Sequence, residues 1–129
     1  MGLSSVAPVK LLIFARRREG MSKKEFDDYW RGPHAKQFMD LDIVKKHCTR
    51  YEQYHDDATV RAEAESAIGL PNSGWDGVAF LVFDSAEGAK AVFNDPDFQA
   101  FAAADEPRFC SAPTQYQMLI GDPEIIHSS

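Results

Sequence analysis

The chain has 129 residues, and its 14 Lys and Arg stand against 20 Asp and Glu, which gives a formal net charge of −6. This length is enough for one domain with its own core, and we expect a single domain over 1–129. The acidic balance argues against a nucleic-acid partner, whose phosphates are neutralised by Lys and Arg. No apolar run approaches the roughly 18 residues of a membrane helix, so a membrane partner is not expected.

The cysteine content and the first residues bear on location. Two cysteines, Cys48 and Cys110, are too few for a disulfide framework, and neither belongs to a CxxC pair. Residues 1–9 lack a basic stretch followed by a long apolar core, so no signal peptide is expected. Both observations favour a reduced, cytoplasmic location.

The first predicted element is a buried strand over 9–16, where the run VKLLIFAR is short and apolar. A helix follows at once. Ser22 and Glu25 form a capping box, in which each side chain hydrogen-bonds the backbone amide of the other residue. The sequence therefore predicts a strand followed by a helix that starts at Ser22.

Gly32 and Pro33 interrupt this helical run. Because proline is favoured in the first turn of a helix, we expect a fresh helix from Pro33 to about Leu41, with His34 in its opening turn. The N-terminus of a helix disfavours positive charge, so the His34 imidazole is expected to be neutral and able to act as a general base. The alternative is a structural histidine that hydrogen-bonds a backbone carbonyl.

Residues 43–55 alternate as in a strand, and neither face is plainly apolar. One predicted face carries His47, Thr49, Tyr51, Gln53 and His55. Tyr51 and His55 would lie about 13 to 14 Å apart and flank a small aromatic substrate. There a phenol and an imidazole could donate to a developing enolate and move protons. The alternative is a polar strand facing solvent, with His47 and His55 at its surface ends.

The remaining elements complete a βαββαβ order. They are a short helix within 56–70, a loop at 69–74, a strand at 75–83, helices beginning at 84–85 and 95–96 with a break at 105–107, a strand at 115–120 and a tail at 121–129. This order predicts an α+β, ferredoxin-like fold whose four-stranded antiparallel sheet carries its helices on one face. The other face needs cover, and a second copy of the chain would supply it, so we expect a homodimer.

Aromatic residues are numerous, with nine Phe, four Tyr and two Trp. Most fit helix core positions, but four could line a cavity between sheet and helices that suits a flat phenolic ligand. These are Phe14, Trp30, Phe80 and Phe109.

Asp105 and Glu106 form a carboxylate pair that could share a proton at the edge of such a site, or could be a solvated helix end. The four histidines form no HxH or HxxxH pair, and no zinc-like ligand spacing is present. The chain also lacks the GxGxxG and GxxxxGK[ST] phosphate loops. We therefore expect no metal and no cofactor.

Several motifs resemble a known family. The run RRREGMSKKEFDDYWRGPHAKQF at 16–38 resembles the N-terminal half of EthD-type domains, which belong to the dimeric α/β-barrel group. The matching positions are Arg16, Ser22, Phe26, Tyr29, Trp30, Gly32, Pro33, His34 and Ala35. The segment RYEQYH at 50–55 is similar to an Arg-Tyr-x-Gln-x-His pattern of fungal members, and DGVAFLVF and DEPRF fit the same group.

The resemblance implies a dimeric α/β barrel and a cofactor-free enzyme. The fungal members include lyases that tailor aromatic polyketides, notably decarboxylases. By that likeness the substrate would be an anthrone- or phenol-type carboxylic acid, decarboxylated by proton transfer at His34 with Tyr51 and His55. The same pocket could serve a dehydratase, a cyclase or an anthrone-type monooxygenase. A non-catalytic binding protein and a haem-handling protein remain alternatives.

Overall fold

The computed structural model describes residues 7–69, 74–111, 117–122, 124–127 and 129. Its elements are β1 (Val9–Ala15), α1 (Lys23–Tyr29), a π-helical turn (Trp30–His34), α2 (Ala35–Asp40), α3 (Asp42–His47), β2 (Cys48–His55), α4 (Ala58–Ile68), β3 (Gly77–Phe83), α5 (Ala86–Asn94), α6 (Pro96–Phe109) and β4 (Gln117–Ile120). The strands form one antiparallel sheet in the order β2-β3-β1-β4. This confirms the predicted ferredoxin-like fold. The predicted start of the last strand, at 115, lies outside the described residues.

The register of β1 and β3 separates the two faces of the sheet. Leu11 pairs with Leu81, and Ile13 pairs with Ala79. These side chains face the helices, and the core is built on them. Its fully buried members include Leu11, Phe26, Val44, Phe83, Val92 and Phe109.

Phe14 and Phe80 lie on the opposite face of the sheet, away from the helices. Successive residues of a strand point to opposite faces, and these two alternate with the inward-facing Ala15, Ala79 and Leu81. Phe14 instead contacts Trp75, with ring centroids 5.9 Å apart. The expectation that Phe14 and Phe80 line a cavity with the helices is therefore wrong.

The helical run does not stop at Pro33. It continues from α1 into α2 through the π-helical turn, and Pro33 lies inside that wider turn. Such turns often mark functional sites, since they open the backbone hydrogen-bond ladder locally. His34 therefore does not occupy the first turn of a fresh helix, and the helix-terminus reason for its neutrality does not hold.

Residues 43–47, which were expected to begin a long strand, belong to α3. Leu41 is extended and separates α3 from α2. Asp42 lies in the first turn of α3, and Lys45, Lys46 and His47 lie in its last turn. This charge order suits the helix dipole. The strand β2 begins at Cys48, and a bulge follows directly.

Beyond the bulge, Tyr51, Gln53 and His55 share one face of β2, as their spacing predicts. They pair with Leu81, Ala79 and Gly77, all of which face the helices. The face that carries polar side chains at alternate positions is thus the inner face.

The predicted helix within 56–70 is α4, whose N-cap Asp57 accepts from Thr59 and Val60 amides. The predicted break at 105–107 is absent, because α6 runs through it to Phe109. Pro107 lies in the last turn and has no amide to donate to the carbonyl of Ala103, so the helix lacks one hydrogen bond there but continues to its end. This continuity keeps Asp105 on a regular helix above the sheet.

Gly77→Ala is expected to destabilise the fold by about 1 to 3 kcal/mol or more, as overpacking does. A Cβ at this position would come within 2.7 Å of Cη2 of Trp30 and of the backbone oxygen of Tyr54. The backbone oxygen cannot move without disturbing the β2–β3 ladder. Denaturant unfolding measures the change.

Gly121→Ala is the matched control. Apart from its chain neighbours, a Cβ there meets no atom within 4 Å, and the residue is exposed just after β4. The control is therefore expected to change the free energy of unfolding by no more than about 0.5 kcal/mol. Equal destabilisation by both variants would contradict the packing argument at Gly77.

Candidate active site

A cavity of about 80 Å³ lies between the inner face of the sheet and the helices. Its walls are largely apolar and rich in aromatic rings. The lining residues are Ile13, Ala15, Trp30, His34, Phe38, Tyr51, Ala79, Leu81, Phe93, Phe98, Phe101, Ala102, Glu106 and Phe109. The polar groups that reach this space therefore belong to few residues, chiefly His34, Tyr51 and Glu106.

His34 reaches the cavity from the π-helical turn and is boxed by aromatic rings. Its ring centroid lies 4.7 Å from that of Phe109, 5.6 Å from that of Phe101 and 6.4 Å from that of Phe38. The side chain is 15% exposed. A titratable group in such surroundings is held away from water.

Asp105 holds the His34 ring. Its Oδ2 lies 2.6 Å from His34 Nδ1, and its Oδ1 accepts a hydrogen bond from the Tyr29 hydroxyl. Asp105 is only 2% exposed, so these two donors satisfy a carboxylate that water scarcely reaches. An ionised carboxylate only accepts, so the proton of a neutral His34 ring lies on Nδ1 and Nε2 is the basic nitrogen.

The electrostatics of His34 are dominated by burial. Burial lowers the pKa of His34 below its ordinary value of 6.5, while the hydrogen bond and charge of Asp105 oppose that shift. The neutral imidazole expected from the sequence is thus supported, but its cause is desolvation and not a helix N-terminus. His34 with Asp105 forms a base supported by a carboxylate.

Two further polar groups line the cavity. Burial raises the pKa of Tyr51 to about 12, so the phenol keeps its proton at neutral pH and can donate it in a hydrogen bond. Burial and then the charge of Asp105 raise the pKa of Glu106. The walls thus combine a base with a lowered pKa and acids with raised pKa values, an arrangement suited to proton transfer.

His55 lies beside the cavity and does not line it. Its Nδ1 is 2.7 Å from Asp27 Oδ1, its Nε2 is 2.8 Å from Gln53 Oε1, and its ring packs on Trp30 at 4.6 Å. It borders a shallow groove with Arg31, Ala35, Tyr51 and Gln53. Tyr51 is common to the groove and the cavity.

Of the other candidate residues, three lie at the site and one lies away from it. Trp30, Phe109 and Asp105 meet at the site, the first two in the cavity wall and the third behind His34. His47 does not, because it ends α3 and pairs with Asp84 at 3.0 Å.

Sequence reasoning missed Tyr29, the second donor to Asp105. His34 is the fifth residue after Tyr29, a spacing that does not place two side chains on one face of a regular helix. The π-helical turn lies between them, and both contact Asp105. Gln53 was also passed over, although its place between Tyr51 and His55 was a usable signal.

Two kinds of feature are absent from the described ranges. Over residues 7–69, 74–111 and the described part of the C-terminal segment, no three His, Cys, Asp or Glu side chains gather as a metal site. None of the helices described above is long and apolar enough to cross a membrane.

Solved structures share this fold. An ethyl tert-butyl ether d (ethd) family protein from Bacillus halodurans superposes with a TM-score of 0.61 at 16% identity, covering 91% of this chain and 99% of that one. A hydroxynitrile lyase from Passiflora edulis gives 0.59 at 15%, covering 93% and 98%. A dimeric protein with a ferredoxin-like fold from Bacteroides fragilis gives 0.58 at 11%, covering 89% and 95%. At these identities the likeness shows the fold alone.

Comparison with curated protein sequences gives no significant match. The sequence profile of the EthD domain, in contrast, matches residues 18–113, a stretch that includes α1, the π-helical turn, His34 and Asp105. The match covers well over half of the chain, and the chain therefore belongs to the EthD domain family.

Proposed function

We propose that the protein is a cofactor-independent lyase that decarboxylates an aromatic, phenol-type carboxylic acid of polyketide character. The observation that carries the proposal is the Asp105-supported His34 in the wall of an aromatic cavity. A base with a lowered pKa in an apolar enclosure suits proton transfer to and from a neutral ring system.

The proposed step balances without an added reactant. His34 Nε2 takes the proton of the substrate's carboxyl group, and the bond between the ring carbon and the carboxyl carbon breaks. In the keto tautomer of the phenolic acid, which is a β-keto acid, its electron pair passes into the keto group as carbon dioxide leaves, and a phenolate forms. The Tyr51 hydroxyl donates to this oxyanion, and the His34 imidazolium returns the proton to it.

The apolar surroundings of His34 favour the loss of carbon dioxide. An apolar cavity disfavours a carboxylate relative to the transition state that disperses its charge. Its volume of about 80 Å³ is below the roughly 150 Å³ of a cavity that takes up benzene, so a single-ring phenolic acid enters with less rearrangement of the walls than a three-ring anthrone acid.

The fold itself supports an enzymatic reading, since one structurally similar protein is a hydroxynitrile lyase.

The outer face of the sheet supports a second proposal, that of a homodimer. Its partly exposed apolar side chains, among them Leu12, Phe14 and Phe80, form a surface that a second copy would cover. A structurally similar protein is dimeric, in agreement with this proposal.

Product mass tests the proposed reaction. The purified protein, treated with EDTA, is incubated with resorcylic-type single-ring acids and with a carboxylated anthrone, and the products are weighed by mass spectrometry. Loss of carbon dioxide is expected, fastest with the single-ring acids. Loss of water, an unchanged mass or a gain of oxygen would instead indicate a dehydratase, a cyclase or a monooxygenase. Ligand binding without turnover would indicate a binding protein.

A further inference from the structure

We propose that Gln53 is a positioning residue that turns the hydroxyl proton of Tyr51 into the cavity. The inference deepens the proposed function, because it explains why Tyr51 would act as a donor to the substrate's oxygen. Its basis is a continuous line of hydrogen bonds along the inner face of β2, through Tyr51, Gln53 and His55. The chemical class that this donor selects is a ligand with a carbonyl or enolate oxygen.

The orientation of the Gln53 amide is fixed by the backbone. Its Nε2 lies 2.9 Å from the carbonyl oxygen of Trp30. That oxygen can only accept, so the atom facing it must be the NH₂ group and not Oε1. The π-helical turn that begins at Trp30 thus sets which end of the amide faces Tyr51.

The fixed amide determines the direction of the Tyr51 hydroxyl. Gln53 Nε2 also donates to Tyr51 Oη at 2.7 Å. Because the Gln53 amide already donates to a lone pair of this oxygen, the phenolic proton of Tyr51 cannot point to Gln53 and must turn elsewhere. Tyr51 lines the apolar cavity, where a ligand oxygen would be its acceptor.

His55 holds the other end of the amide. Its Nε2 donates to Gln53 Oε1 at 2.8 Å, and its Nδ1 lies 2.7 Å from the Asp27 carboxylate. The ring also packs on Trp30, with ring centroids 4.6 Å apart. His55 thus acts through Gln53 and does not itself reach the cavity.

A binding experiment that needs no turnover tests the inference. Acetophenone offers one carbonyl acceptor, and ethylbenzene has a similar shape without it. In the wild type, the carbonyl stretching band of bound acetophenone is expected at the lower frequency of a hydrogen-bonded ketone. Tyr51→Phe is expected to reduce the affinity for acetophenone relative to ethylbenzene by about 3- to 10-fold, and to raise that frequency.

Gln53→Met preserves the length and volume of the side chain and removes the amide. It is expected to lower the same affinity ratio by about threefold and to broaden the carbonyl band, because the freed hydroxyl adopts several directions. In the Tyr51→Phe background it should change neither quantity. His55→Phe keeps a ring on Trp30. As a single substitution it is expected to lower the affinity ratio and broaden the carbonyl band as Gln53→Met does. Combined with Tyr51→Phe, it is expected to change neither quantity further.

Three results would overturn the inference: no effect of Tyr51→Phe, no effect of Gln53→Met, or an equal effect of Gln53→Met in both backgrounds. The last result would assign Gln53 a purely structural role. Ethylbenzene binding shows for each variant whether the cavity is intact, and His55→Phe gives a second measurement if Gln53→Met fails to fold. The absence of decarboxylation would count against the proposed reaction and leave these binding results standing.

Discussion

His34→Gln is expected to lower the rate of decarboxylation by about 10²- to 10⁴-fold, the usual contribution of a general acid–base group. Glutamine is close to histidine in size and can still hydrogen-bond Asp105, but it can neither accept nor return a proton at neutral pH. The loss should therefore appear in kcat more than in KM. Steady-state kinetics with a single-ring acid measure both.

His47→Gln is the matched control for this prediction. His47 also pairs with an aspartate, Asp84, but it does not line the cavity. The same chemical change at this second pair should leave kcat within about twofold of wild type, as expected of a site away from the chemistry. If His34→Gln retains full activity while His47→Gln loses it, the assignment of the base is wrong.

Asp105→Asn is expected to reduce turnover by a comparable factor, on the order of 10²-fold or more, with the fold retained. An asparagine amide can donate to His34 Nδ1, which moves the ring proton to Nε2 and removes the base. It also loses the carboxylate that holds the ring together with Tyr29. Loss of these charged hydrogen bonds should cost about 1 to 3 kcal/mol of stability.

The pH profile shows whether the rate loss of Asp105→Asn comes from the wrong tautomer of His34 or from simple protonation of His34. In the wild type, kcat/KM should fall as the pH drops through the His34 pKa, which lies below 6.5. Asp105 raises the His34 pKa, so removing its charge should move the acidic limb to still lower pH. His34 is then more completely neutral at pH 7, and the loss of rate there must come from the wrong tautomer and orientation.

Folding stability has a related pH dependence. Because the pKa of folded His34 is lowered, the unfolded chain binds the proton more readily, and the contribution of this residue to stability decreases as the pH falls below about 6.5. Asp84→Asn is the control for Asp105→Asn, since it alters the His47 pair, which does not line the cavity. An unchanged acidic limb in Asp105→Asn would contradict the predicted coupling of Asp105 to His34.

Local sequence patterns were sufficient where the interactions are local. The capping box of Ser22 and Glu25 forms as predicted, and Ser85 and Asp95 cap their helices. The alternation of Tyr51, Gln53 and His55 correctly placed them on one strand face. In contrast, the helix at 42–47 was missed, because its six residues are too few for a clear helical period.

The candidate site could be predicted only in part. His34, Tyr51, Trp30, Phe109 and Asp105 were named from residue type and resemblance, and the structure brings them together. Phe14 and Phe80 were assigned to the wrong face, because a run of apolar residues such as VKLLIFA does not show which alternate set faces the helices. His47 was assigned to a strand that begins one residue later.

The βαββαβ order, the helix starts and a histidine in a Gly-Pro-His turn can be predicted from the residues alone, since caps, turns and alternation depend on neighbours along the chain. The chemistry of that histidine depends instead on the tertiary structure. Asp105 lies 71 residues from His34, and burial by Phe38, Phe101 and Phe109 sets the direction of its pKa shift. Such contacts between distant segments, and the exclusion of water that they produce, exist only when the helices pack on the sheet.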